Sequence, residues 1–258
     1  MQAPIPETTQ RLDPRGRTIA FRILAAFFGF VTLAFSVPFM FASLTDEEQK
    51  IHAFHNIGDG LAFSIVVGVT LLLAAWKPAQ MLAAFQIAFV ASFVLALPAL
   101  VAGDLISGSY FVGTLVVVVL AILHPARHEL WTLGRIRPSL LVLWMVWSVP
   151  AISYALTQVD LQRNNPANDP HVDLHHYSGA ASAVFAVLAA ALVASLGTRG
   201  TRAAGWIAGL SGASMGLASL ALSDRVSAFD TPWAWLALLW GITFIAASEL
   251  ACRKDATT

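Results

Sequence analysis

Residues 169–179 of the chain read DPHVDLHHYSG, and a long apolar run begins within this segment. It contains three histidines and two aspartates, namely Asp169, His171, Asp173, His175 and His176. A shorter segment of the same kind, HAFHNIGDG at residues 52–60, precedes an earlier apolar run and carries His52, His55 and Asp59. Both segments place imidazoles and carboxylates where a helix is about to begin. The fold therefore decides whether the two segments form one site.

The composition indicates a membrane protein. The 258 residues are 57% hydrophobic and 12% charged, and the mean hydropathy is +0.71. A soluble domain carries about 25% charged residues, so this chain has too little polar surface for a water-soluble globule, and we expect most of its exterior to face the lipid bilayer. The formal net charge of zero gives no reason to expect nucleic acid as a partner, and the single cysteine excludes an internal disulfide.

The apolar runs predict an all-α, polytopic integral membrane protein with eight transmembrane helices, because about 20 apolar residues cross the hydrocarbon. The predicted helices cover residues 18–43, 54–76, 80–102, 108–124, 138–157, 176–197, 203–222 and 232–250. We divide the chain into a flexible cytoplasmic N-terminus (1–17), a first four-helix unit (18–124), a basic cytoplasmic connector (125–137), a second four-helix unit (138–250) and a cytoplasmic tail (251–258).

The basic residues predict the orientation of the helices, since cytoplasmic loops of membrane proteins are enriched in lysine and arginine. With both termini in the cytoplasm and eight crossings, only three of the 15 basic residues, Lys50, Arg163 and Arg225, lie outside. This topology predicts a protein of the cell membrane. It also places both histidine-bearing segments on the extracytoplasmic face.

Short matches between the two halves predict a 4+4 parallel pseudo-repeat. Residues 35–38 read FSVP and residues 147–150 read WSVP, at the ends of the first and fifth helices. Further along, His55 corresponds to His175 and Asp104 to Asp224 at one offset. Two units of four helices share one orientation, so an axis along the membrane normal relates them. The second helix of each unit then carries its histidines to equivalent positions.

The spacing of the histidines predicts a divalent metal site, for zinc or a similar ion. His52, His55 and Asp59 would share one face of a helix that starts a turn early. His171 and His175 have the His-x-x-x-His spacing that lets two imidazoles on a helix reach one ion. The predicted ligand set is His52, His55, Asp59, His171, Asp173, His175 and His176, and Asp104 and Asp224 are the predicted residues of the surrounding shell.

Two other interpretations of these residues remain open. The cluster could be a metal-free polar site for a substrate, a lipid headgroup or a proton. It could also be structural, because Asp173 has the position of a helix N-cap and Asp59 that of a carboxylate in a first helical turn. The predicted seventh helix has small-xxx-small glycines at 205, 209, 212 and 216. They favour close contact with a neighbouring helix, either within the chain or in a homo-oligomer.

The His-x-x-x-His motif with an aspartate resembles the zinc-binding residues of seven-helix membrane hydrolases of the ceramidase and progestin-receptor-like type. The resemblance covers a handful of residues, the helix count differs and the order of the motifs does not map, so no residue is carried over from it.

Three functions fit these patterns. The first is a non-enzymatic membrane module that binds a metal or polar ligand for sensing or assembly. The second is a metal-dependent hydrolase or transferase acting on lipid at the outer leaflet, with Asp59 or Asp173 as the candidate base. The third is a transporter of a neutral solute, suggested by the duplication.

Overall fold

The computed structural model describes residues 14–46, 48–103, 108–166 and 168–256. Helices account for 83% of the structure, and these residues contain no strand. The predicted all-α fold is confirmed.

Eight helices correspond in order to the predicted apolar runs. They are α1 (Pro14–Thr45), α2 (His55–Trp76), α3 (Leu82–Ala102), α4 (Gly108–Leu123), α5 (Pro138–Asn164), α6 (His176–Ser195), α7 (Thr201–Ala221) and α8 (Thr231–Ala256). All except α4 are long and apolar enough to cross a membrane. Helix α4 has 16 residues, slightly below the usual range of about 17–25. The eighth crossing, and with it the complete topology, stays a prediction.

Helix α6 is the most deeply buried of these helices and packs against α3, α5 and α7. It is rich in alanine, and most of its alanines are fully buried, so neighbouring backbones approach closely without large side chains between them. Two side chains also bond its neighbours across the interface. The Ser182 hydroxyl donates to the Leu95 carbonyl oxygen of α3 at 2.7 Å, and the Trp144 indole N–H of α5 donates to the Leu188 carbonyl oxygen of α6 at 3.0 Å.

Helix α2 departs from α-helical geometry near its start. A 3₁₀ turn, Gln49–His52, precedes it, and π-helical segments at His55–Asp59 and Ser64–Val69 widen two of its turns. Such π segments are rare and occur frequently at functional sites. The first of them contains two of the predicted site residues, His55 and Asp59.

The glycines of α7 face α8 of the same chain. A methyl group built at Gly209 would lie 2.5 Å from the Gly241 carbonyl oxygen, and one at Gly241 would lie 2.4 Å from the Gly209 carbonyl oxygen. The predicted close helix contact is therefore present within the chain. Nothing in this contact tests homo-oligomer formation, and the 4+4 repeat and the unit boundaries also stay predictions.

We expect Gly209→Ala to destabilise the bundle, because the added methyl group meets backbone that cannot move aside. Overpacking of this kind costs about 1–3 kcal/mol. Thermal unfolding of the purified protein in detergent measures the effect as a lower midpoint. Gly113→Ala on α4 is the matched control, since no atom of the described residues, apart from the backbone of the same helix, lies within 4 Å of the added carbon. Equal midpoints for the two variants would contradict the described α7–α8 packing.

Candidate metal centre

The two histidine-bearing segments meet at one end of the bundle, as the sequence predicts. The His52 ring centroid lies 4.8 Å from that of His171 and 4.6 Å from that of His176. The His55 ring is stacked on His176, with centroids 4.6 Å apart and planes 26° apart. Residues separated by more than 100 positions in the chain thus share one cluster.

The local fold of residues 169–176 explains which histidines join the cluster. Asp169 caps a single helical turn, Pro170–Asp173, by accepting a hydrogen bond from the His171 backbone N–H at 2.8 Å. The chain then leaves the helix at Leu174, and His175 takes a left-handed conformation with φ of 59°. A non-glycine residue in this region stores backbone strain and is often found at functional sites.

This break separates His171 and His175, so the pair does not lie on one continuous helix. The His-x-x-x-His geometry assumed from the sequence is therefore not the one present. Helix α6 begins at the next residue, and it is the ring of His176 that contacts His52, His55 and His171.

Three histidines could hold a metal ion. One ligand atom from each of His52, His171 and His176 can be chosen so that all three atoms lie within 4.8 Å of one another. Two nitrogens on a tetrahedral zinc ion lie about 3.3 Å apart, given Zn–N distances of about 2.0–2.1 Å. Metal binding therefore requires the distances between these ligand atoms to shorten by about 1.5 Å at most, which small side-chain rotations can supply.

The cluster contains buried nitrogens without a hydrogen-bond partner among the described residues. They are Nδ1 of His52, Nδ1 of His176 and Nε2 of His55. Buried polar atoms are almost always paired, so each exception calls for an explanation such as a bound ion. Burial lowers the pKa of His52, and the nearby His171 and His55 lower it further. Asp169 has the opposite, smaller effect on this pKa. His52 is therefore neutral at pH 7, the form that binds metal.

Asp169 organises one side of the cluster. Its carboxylate lies 3.1 Å from the His171 Nδ1, and it accepts hydrogen bonds from the Tyr177 hydroxyl at 2.9 Å and the Asn165 amide at 3.1 Å. Burial raises the pKa of Asp169, but hydrogen bonds from His171, Tyr177 and Asn165 outweigh it and keep that pKa below its usual value. A carboxylate that holds a histidine by one nitrogen fixes the tautomer and leaves the other nitrogen for a metal.

The Nε2 of His171 lies 3.3 Å from the Ile51 carbonyl oxygen. Only a protonated Nε2 could make that contact a hydrogen bond. With Nδ1 donating to Asp169 in the neutral ring, Nε2 carries a lone pair that faces the carbonyl oxygen. A metal ion bound at Nε2 would replace this long contact.

His55 and Asp59 form a buried pair within the first π segment of α2. The Nδ1 of His55 lies 3.1 Å from Oδ2 of Asp59, and both residues are at most 5% exposed. The second oxygen of Asp59 is also buried, and no hydrogen-bond partner for it lies among the described residues. Because lone pairs lie in the imidazole plane, the nearly parallel rings of His55 and His176 do not aim at a common ion. His55 thus stands beside the three-histidine group rather than within it.

The remaining predicted site residues lie in different surroundings. Asp173 is exposed and His175 is partly exposed, and neither belongs to the three-histidine group. Asp224 is exposed and pairs with Arg225, with 3.5 Å between Oδ2 and Nε. Asp104 lies outside the described residues.

Sequence reasoning gave no role in the site to Asp169, Asn165 or Tyr177. The available signal was the Asp-Pro-His order, which is typical of a capping aspartate followed by proline at the first helical position. That signal indicates a turn of helix, and it does not reveal that the same carboxylate also orients a histidine.

Comparison of the chain with protein-family models, curated proteins and solved structures finds no significant match.

We expect Asp169→Asn to weaken zinc binding by about 10–100-fold, the usual effect of removing a carboxylate that orients a histidine ligand. The amide keeps the shape and an oxygen for the His171 N–H but loses the charge. Titration of the purified protein with Zn²⁺ against a competing chelator measures the affinity. Asp173→Asn is the control, because that carboxylate is exposed and its loss should leave the affinity within a few-fold. Equal affinities for both variants would contradict the role of Asp169.

Proposed function

We propose that this multi-pass membrane protein binds one divalent transition-metal ion, zinc or a similar ion, at its extracytoplasmic face through His52, His171 and His176. The observation that carries the proposal is the convergence of these three histidines from two distant segments. In two of them, His52 and His176, the Nδ1 atom is buried without a hydrogen-bond partner among the described residues. His55 and Asp59 lie directly beside this set.

The donor set favours zinc-like ions over calcium or magnesium. Imidazole nitrogen suits zinc, copper, iron and nickel, whereas calcium and magnesium take oxygen ligands. The nearest carboxylates bond histidine rings, an arrangement typical of groups that orient metal ligands.

The number of ligands bears on what the ion does. Structural zinc sites are closed by four protein ligands, whereas catalytic sites have three and keep a fourth position open. Three histidines with His55 stacked to one side resemble the second arrangement. This favours the hypothesis of a metal-dependent hydrolase or transferase as the second candidate function. The ion would then activate a water molecule, with the buried Asp59 acting as base, directly or through His55.

Asp59 is the better of the two candidate bases. It is 3% exposed and bonded to His55, whereas Asp173 is exposed to solvent. The first candidate function, a binding module for sensing or assembly, needs the ion but neither an open position nor a base. Transport of a neutral solute stays a hypothesis from the sequence alone.

We expect the purified wild-type protein to bind a single zinc ion per chain. His52→Ala, His171→Ala and His176→Ala should each weaken binding by at least about 100-fold, more than the loss of an orienting group. Metal analysis after dialysis gives the stoichiometry. Zinc at about 100 times its dissociation constant should stabilise the wild type by about 2.7 kcal/mol. His128→Ala, which removes an exposed histidine from a different loop, should behave as wild type. Failure of the wild type to bind zinc or any other divalent transition metal would refute the metal site.

The extracytoplasmic location predicts a labelling pattern. In a Cys252→Ser background, Asp173→Cys should react with a membrane-impermeant maleimide in intact cells, because residue 173 is exposed beside the histidines. His128→Cys lies in the predicted basic cytoplasmic connector, and it should react only after the cells are permeabilised. The reverse pattern would place the metal site in the cytoplasm.

A further inference from the structure

A groove of about 560 Å³ lies between α1 and α2, with Leu95 of α3 at its base. The two helices are in contact on either side of it. At Gly29 and Gly68 the backbones approach so closely that a methyl group at Gly29 would lie 2.9 Å from the Gly68 carbonyl oxygen. Near the histidines, the Asn56 amide donates to the Ser43 hydroxyl at 2.7 Å. The groove occupies the part of the helix pair between these contacts.

The walls of the groove are mainly apolar and face outward from the bundle. Phe35 and Phe39 of α1, which line it, are 69% and 46% exposed. Both α1 and α2 are long and apolar enough to cross a membrane, so in a bilayer this opening faces lipid. The volume lies within the range of about 300–1,000 Å³ for pockets that hold one small ligand.

An apolar wall alone would not select a lipid. Acyl chains in the bilayer are as apolar as the groove, so a chain that enters it gains little free energy from its apolar contacts. Selective binding must come from a polar group at one end of the groove. His55 and Asn56 supply that end.

His55 provides the independent sign of a ligand. It is 5% exposed, its Nδ1 is bonded to Asp59, and its Nε2 is buried without a partner among the described residues. The ring of His55 also stacks on His176 of the metal set. A headgroup that reaches His55 from the groove is therefore next to the proposed ion.

We infer that the α1–α2 groove binds one acyl chain of an amphiphile whose hydrogen-bonding headgroup, such as a carboxyl group, contacts Nε2 of His55. The statement that the headgroup lies next to a metal ion rests on the proposed function. The binding of the acyl chain in the groove does not depend on that function.

The test uses the full-length protein in lipid nanodiscs and a long-chain fatty acid that carries a photoactivatable group on its chain. We expect cross-links to concentrate on residues 31–39 of α1 and 60–67 of α2, and unlabelled fatty acid to compete for them. A photoactivatable alkane without a headgroup should label the lipid-facing helices evenly. Even labelling by the fatty acid as well, without competition, would overturn the inference.

Gly60→Phe provides a second, independent arm of the test. Gly60 lines the groove and its backbone has ordinary helical geometry. Among the described residues, a carbon added at Gly60 would meet the Met40 side chain alone, at 3.5 Å or more. The phenyl ring should obstruct the groove and reduce its cross-linking at least tenfold, with zinc stoichiometry unchanged. Gly113→Phe, on the open face of α4, should leave both unchanged. Undiminished groove labelling in Gly60→Phe would contradict the inference.

The two proposals fail separately in this design. Groove labelling that Gly60→Phe removes, in a protein that binds no zinc, would refute the metal site and leave the lipid groove standing. Zinc binding without selective groove labelling would do the reverse.

Discussion

Close packing around α6 is the interaction on which the rest of the structure depends. Lipid chains are as apolar as the helix surfaces, so the hydrophobic effect does not drive helices together in a bilayer. Helices associate there through close contact and through hydrogen bonds between polar groups. The small side chains of α6 allow α3, α5 and α7 to pack against it. The position of α6 fixes His176, its first residue, and the segment before it then meets the start of α2.

The same environment makes unpaired polar groups in the histidine cluster costly. Elsewhere in the bundle, Ser182 and Trp144 bond backbone carbonyl groups of neighbouring helices, whereas an unpaired polar group in a dry interior costs about 1–3 kcal/mol. Three histidine nitrogens in the cluster and one oxygen of Asp59 are buried without a partner among the described residues. A cation held by His52, His171 and His176 would satisfy the two nitrogens that belong to His52 and His176, and this is the physical basis of the proposed function.

The sequence was sufficient to predict the helices and the meeting of the two segments. Hydropathy sets the positions of the helices. Short connections make successive helices antiparallel, so α2 and α6, which are four helices apart, begin at the same end of the bundle. It was not sufficient to predict which histidine would contact the others. His175 and His176 differ by one position, and only the left-handed backbone at His175 decides that the ring of His176 joins the cluster. The glycines of α7 likewise indicated a close contact without naming α8 as the partner.

The orientation of His55 connects the metal site to the groove. An imidazole binds a metal along a lone pair in its own plane, and two rings 26° from parallel, with centroids 4.6 Å apart, direct those lone pairs along separate lines. The rings of His52 and His171 instead lie at 77° and 62° to His176, so lone pairs from this group can converge. A three-nitrogen site would then leave one coordination position for water or a headgroup. His55, with Asp59 bonded to its Nδ1, stands between that site and the lipid-facing groove, where a proton-transferring or headgroup-binding residue would have to be.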